Sequence, residues 1–259
     1  MSKKKWVIGN WKLNGSRDEN RSLIAKLREQ LNVQDEFVHL GVCPTYTYLE
    51  QVEGLLEGSS IELGAQNVSE QSRGAFTGEV AAEMLKDVGV HFVIIGHSER
   101  RAYQAETDSL LAKKIRATLD TGLIPVLCVG ETKQERDENR TKEVLVEQLE
   151  ADLAMFDLTH EDIIIAYEPR WAIGTGISAT PEMIAEVHAF LYDYLQGKAA
   201  GLGDRTSLLY GGSMNATNAA TIAAIPHVDG GLIGSAALKA EDFIAIYRAV
   251  LDASHPVAP

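Results

Sequence analysis

Cysteine is scarce in this chain. Only Cys43 and Cys128 occur, far apart and in apolar surroundings. That excludes a disulfide framework and offers no spacing for a metal cluster. A reduced, cytoplasmic protein with no bound metal is the expectation. Long apolar runs are missing too. No window approaches the roughly 18 apolar residues of a membrane span. Lys3-Lys4-Lys5 is followed only by Trp6-Val7-Ile8-Gly9 before Asn10 and Lys12, too short an apolar run for a signal peptide. No Pro/Ser-rich tract, low-complexity run or charge block divides the sequence, so one domain over residues 1–259 is expected. Positive charge is in short supply, with 24 Lys and Arg against 37 Asp and Glu, a net −13. Nucleic acid wants a basic face and is excluded as a partner. An anionic ligand would need a local positive site built against the protein's own field.

What is present is regular. Eight short β-rich runs read as strands: Lys5–Gly9, residues 37–42, Ile61–Ala65, His91–Ile95, Leu123–Val129, Ile163–Tyr167, Thr206–Tyr210 and Val228–Ile233. They are continuously apolar rather than alternating, which suits parallel strands buried on both faces. Between them lie stripes of helical period, such as Leu23, Ile24, Leu27 and Leu31, or Ile184, Val187, Leu191 and Leu195. Ser16 with Glu19 and Thr132 with Glu135 read as capping boxes. Thr180-Pro181 reads as a cap followed by proline at the first helical position. Eight βα units in about 250 residues predict an α/β fold, a (β/α)8 barrel of the TIM type. A doubly wound open sheet is the rival. Two features favour the barrel. No G-x-G-x-x-G follows the first strand, and the unusual residues follow many different strands: Asn10 and Lys12, Gln66 and Asn67, His97 and Glu99, Glu168, Tyr210–Ser213, Gly234-Ser235. A closed barrel brings all of these to one rim.

Each of these residues has an ordinary reading and a chemical one. Glu168 ends the apolar run Ile163–Tyr167 and is followed by stiff Pro169 and Trp171, then by Gly174-Thr175-Gly176. A solvated strand end is the ordinary reading. A catalytic base beneath a closing loop is the chemical one. Gly211-Gly212-Ser213 and Gly231–Ser235 follow the last two strands, where barrels hold phosphate with backbone amides; Gly174 would add a third amide donor. Lys12 is placed to act as a point charge on substrate. His97 opens His97-Ser98-Glu99-Arg100-Arg101, read as a helix start capped by Ser98. The helix dipole there predicts a lowered pKa and a neutral imidazole. Glu99 is placed to pair with Lys12. A base and an electrophile with no cofactor fingerprint suit proton abstraction beside a carbonyl. With phosphate on the substrate, that means isomerisation of a small sugar phosphate through an enediolate.

Along nearly its whole length the chain resembles the triosephosphate isomerase family. The matching segments are Asn10–Gly15, Gly74–Glu79, Gly96–Arg101, Cys128–Glu131, Ala166–Gly176, Tyr210–Ser213 and Asp229–Leu238. The resemblance implies interconversion of dihydroxyacetone phosphate and glyceraldehyde 3-phosphate in glycolysis and gluconeogenesis, with no cofactor. Glu168 would move the proton, His97 would be the electrophile, and Lys12 the electrostatic anchor supported by Asn10 and Glu99. Gly174, Ser213, Gly234 and Ser235 would hold the phosphate, with Asn10 and Lys12 also touching substrate. A homodimer is implied, the loop around Phe76 and Thr77 inserting beside the partner's Asn10 and Glu99. Three positions depart from the family's usual pattern: Arg170, Ile177-Ser178 and Ser235. The rival functions are another phosphate-binding barrel isomerase and a non-catalytic phosphate-binding barrel.

Overall fold

The computed structural model describes residues 3–31, 35, 38–154, 156, 161–172 and 179–255. Eight parallel strands close on themselves in sequence order. They are β1 (Lys5–Asn10), β2 (Val38–Cys43), β3 (Ile61–Ala65), β4 (Phe92–Ile95), β5 (Ile124–Val129), β6 (Ile164–Tyr167), β7 (Ser207–Tyr210) and β8 (Gly230–Ile233). β1 pairs with β2 on one side, Ile8 opposite Gly41, and with β8 on the other, Ile8 opposite Leu232. Closure rules out the open sheet. Every expected strand is found within a residue or two of its expected bounds. Residue 37, the expected start of the second strand, lies outside the described residues.

The continuous apolar runs have a physical reason. Alternate residues of each strand face two different cores. Trp6, Ile8, Phe92, Ile94, Val126, Cys128, Ile164, Leu209 and Leu232 fill the inside of the barrel. Val7, Val42, Val93, Ile95, Leu127, Ile165 and Leu208 pack outward beneath the helices. The interior is filled by trading volumes between strands. A Cβ on Gly41 or on Gly64 would lie 2.5 or 2.3 Å from the Phe92 ring, so two glycines make room for one aromatic. Burying a phenyl group this fully contributes about 1.5–3 kcal/mol.

The helical stripes cover that outer core. Ile24 and Leu27 are buried on helix Arg17–Gln30, and Ile184, Val187, Leu191 and Leu195 on helix Pro181–Lys198. The caps are partly as expected. Thr132 and Glu135 form a complete capping box, and Thr180 caps Pro181–Lys198 by accepting from the Met183 amide at 3.3 Å. Ser16 accepts from the Glu19 amide, but Glu19 does not bond back, so that box is half made. The closing helix, Ala240–Ser254, buries Phe243, Ile246 and Val250.

Candidate active site

Because all eight strands run the same way, every strand end named above opens onto one rim. A cavity of about 370 Å³ lies there, lined by Asn10, Lys12, His97, Glu168, Ser213, Gly234 and Ser235 among others. Glu99 faces an adjoining cavity of about 310 Å³ that shares Asn10, Lys12 and His97 with the first. Of the expected site residues only Gly174 is left; it lies outside the described residues, as do Ile177 and Ser178.

Lys12 has an unusual backbone. Its φ is +53°, in the left-handed region, where a side chain costs about 1–2 kcal/mol. The Asn10 Oδ1 accepts from its amide at 3.0 Å. The ammonium sits 2.6 Å from Glu99 Oε1. A Cβ built on Gly234 would lie 3.9 Å from Lys12 Nζ, which places the β8 turn against the ammonium. Lys12 is the single Lys or Arg among the described residues lining the larger cavity. It puts one positive side chain into this cavity of an acidic protein.

Glu168 follows β6 and is 2% exposed. Its Oε2 accepts from the Ser98 amide at 2.8 Å. Its Oε1 lies 3.0 Å from His97 Nε2, off the line of a good hydrogen bond. The carboxylate fits because its neighbours lack side chains. A Cβ on Gly130 would meet the Glu168 carbonyl oxygen at 1.7 Å, and one on Gly211 would meet Cγ at 2.7 Å. Burial by itself would push the Glu168 carboxyl up; His97 and the Ser98 amide outweigh it and hold it below its ordinary value.

His97 corrects two expectations. It caps helix Ser98–Tyr103 with its own ring, Nδ1 accepting from the Glu99 amide at 3.2 Å, while Ser98 is the first helical residue. That bond leaves the proton of the neutral ring on Nε2, the nitrogen facing Glu168. The expected lowering of its pKa is reversed in this arrangement. Burial does oppose the charged ring, but the facing Glu168 carboxylate prevails, and His97 is held above its ordinary value. Sequence order could not place Glu168 against it.

Gly211, Gly212 and Ser213 after β7 and Gly234 and Ser235 after β8 line the cavity. Ser235 begins the short helical turn Ser235–Leu238. It is absent from the residues with left-handed backbone, so a serine is tolerated there.

A second buried carboxylate was not assigned a role from the sequence. Glu131, just past β5, accepts from the Tyr167 hydroxyl at 3.1 Å and from the Trp171 indole at 2.9 Å. Its carbonyl accepts from the Arg170 amide at 3.1 Å. It thus fixes the stem that leads from Glu168 to residues 173–178. Arg170 itself lines an open cleft with Ser98, Glu99, Thr132 and Lys133.

Barrels with chemistry at the carboxyl ends of the strands and anion-binding turns after the last two form a broad class of enzymes. Comparison with known proteins narrows it. A family model described as triosephosphate isomerase matches residues 5–250. The chain is 47% identical over 244 residues to the triosephosphate isomerase of Nitrosococcus oceani, covering 94% of this chain and 97% of that protein. It is 48% identical over 250 residues to that of Paracidovorax citrulli, covering 96% and 99%. With that of Ralstonia nicotianae it shares 48% over 248 residues, covering 95% and 98%. The chain belongs to the triosephosphate isomerase family, and it is an isomerase.

Proposed function

We propose that this chain interconverts dihydroxyacetone phosphate and D-glyceraldehyde 3-phosphate, acting as one domain in the glycolytic and gluconeogenic pathways of the cytoplasm. One observation supports this above the rest: Glu168, His97 and Lys12 line the same cavity as the turns after β7 and β8. Among the described residues no helix is long and apolar enough to cross a membrane.

In the proposed reaction the substrate phosphate rests on the amides of Ser213, Gly234 and Ser235, with Gly174 as a further donor. The Lys12 ammonium faces the substrate, kept in place by Asn10 and Glu99. The Glu168 carboxylate leaves Ser98 and takes a proton from the carbon beside the carbonyl. As negative charge gathers on the carbonyl oxygen, His97 Nε2–H donates to it. The hydroxyl proton passes to the former carbonyl oxygen by way of His97 Nε2, the enediolate takes the proton from Glu168 at the neighbouring carbon as the new carbonyl forms, and the carboxylate is restored. When the carboxylate turns to substrate, His97 loses the charge that raises its pKa and keeps the Glu99 amide bond that favours its neutral form.

We propose a homodimer as the working form. Phe76 is 45% exposed on a loop shaped by Gly74 and Gly78, whose φ values are +124° and +94°. Leu13 and Tyr103, 93% and 80% exposed, border the smaller cavity beside Asn10 and Glu99. An exposed aromatic on a loop and a hollow edged by exposed Leu13 and Tyr103 suit a two-fold exchange between copies.

The test is an assay that couples dihydroxyacetone phosphate formed from glyceraldehyde 3-phosphate to a dehydrogenase, with no metal or cofactor added to the isomerase. Turnover is expected, with competitive inhibition by phosphoglycolate and far weaker inhibition by glycolate. No turnover would end the proposal, and equal inhibition by the two acids would end the phosphate assignment.

A further inference from the structure

Gln66 stands directly after β3, on the same rim, with no part in the chemistry proposed above. Its carboxamide nitrogen donates to the Lys12 carbonyl at 2.9 Å and to the Cys43 carbonyl at 2.9 Å. Cys43 is the last residue of β2, and its carbonyl also accepts from the Trp11 amide at 3.1 Å. One primary amide therefore uses both of its N–H donors to join the ends of three strands.

The residue it joins is the strained one. A left-handed backbone on a residue with a side chain persists only where its surroundings over-determine it. At Lys12 the two ends of the residue are held separately. Asn10 holds the amide and Gln66 holds the carbonyl. Glu99 then holds the ammonium. Without Gln66 the carbonyl end is released, and the residue can relax toward the right-handed region. Such a rotation would carry the side chain away from Gly234 and the cavity.

We infer that Gln66 is a positioning residue: its carboxamide locks the Lys12 peptide in the left-handed conformation that delivers the ammonium to the substrate anion. The inference rests on the proposed role of Lys12. A carboxylate cannot replace the amide, because its lone pairs would face two carbonyl oxygens. A thioether of similar length would fill the space and donate nothing.

The experiment is a double-mutant cycle read by calorimetric binding of phosphoglycolate, using Lys12→Met, Gln66→Met and the pair. Lys12→Met alone is expected to weaken binding strongly. Gln66→Met is expected to weaken it by about tenfold to a hundredfold, the scale of a misplaced site group. In the Lys12→Met background, adding Gln66→Met is expected to change affinity less than twofold, because the group it positions is gone. Unchanged binding by Lys12→Met would overturn the role of Lys12 itself. A sensitive Lys12→Met with a neutral Gln66→Met, or losses that multiply in the pair, would overturn the role of Gln66 alone. Light scattering at the assay concentration is the second readout, and a loss that follows dissociation of the protein would also overturn it. Gln66→Glu keeps the shape and is expected to lose at least as much as Gln66→Met. If both Gln66 variants are recovered unfolded, Gln66 serves the barrel rather than Lys12, and the inference falls.

Discussion

The two ends of the barrel treat polar groups in opposite ways. At the amino-terminal end Asp229 is tied on every side. Its carboxylate accepts from Lys3 at 2.6 Å and from the Leu208 amide at 2.8 Å, and its own amide and carbonyl join β7 and β1. Nearby, the Ser207 hydroxyl donates to the Lys4 carbonyl at 2.7 Å. At the carboxyl-terminal end the buried atoms Glu168 Oε1, Glu131 Oε2 and Trp11 Nε1 lack a hydrogen-bond partner among the described residues, and Lys12 carries backbone strain. A buried polar atom without a partner costs about 1–3 kcal/mol. One end is arranged for stability; the other keeps groups available at a cost to it.

Substitutions should separate the ends. The largest effect is expected at Glu168. Glu168→Gln should lower kcat by roughly 10²–10⁴-fold or more, with phosphoglycolate binding and the melting temperature much less changed. A variant keeping more than a tenth of the activity would remove Glu168 as the base. Next in size is Phe76→Asp, which should give monomers by light scattering with activity down by about tenfold or more, if the partner's loop supports the rim as hot-spot anchors do. A fully active monomer would show that the rim stands alone.

At the other end the sign of the comparison should reverse. Asp229→Ala leaves Lys3 and the Leu208 amide without their acceptor and should destabilise by about 3 kcal/mol in denaturant unfolding. Its kcat, measured well below the melting temperature, should stay within about twofold of the parent. A large kcat loss would mean that the two ends are coupled.

The smallest expected effect is a pH dependence. His188 is fully buried, its Nδ1–H donating to the His227 carbonyl at 3.0 Å. Burial holds its pKa down to about 4. Its folded value is lower than its unfolded value, so the unfolded chain binds the proton more tightly. Stability should therefore fall as pH drops from about 6.5 towards 4, by about 2 kcal/mol at roughly pH 5. His188→Leu should flatten that part of the melting-temperature profile relative to the parent. An unchanged slope would assign the acid sensitivity to other groups.

Much of the barrel was readable in the sequence because parallel strands packed on both faces leave long apolar runs at regular spacing. The rim residues were readable because Asn10, Lys12, His97 and Glu168 are poor choices for buried strand ends unless something requires them. Three things were hidden for physical reasons. The contact between His97 and Glu168 depends on strands far apart in the chain, so the direction of the histidine's pKa shift could not be foreseen. Glu131 finds its partners, Tyr167 and Trp171, across a strand pairing. Gln66 was noticed on the rim, but it bonds to backbone carbonyls, which are the same for every residue type and leave no mark on spacing.

The left-handed backbone of Lys12 has a consequence for anyone who evolves this protein towards heat resistance. Placing glycine where φ is positive is a common stabilising change, and Lys12, Ala105, Asn139 and His227 are the four non-glycine candidates among the described residues. A screen that scores only survival on heating has no reason to spare Lys12. At Ala105, Asn139 and His227 the gain would be harmless to the chemistry proposed here. At Lys12 it would enrich a hardier protein that has lost the ammonium proposed to hold the substrate anion, so a selection for turnover must run beside the selection for heat.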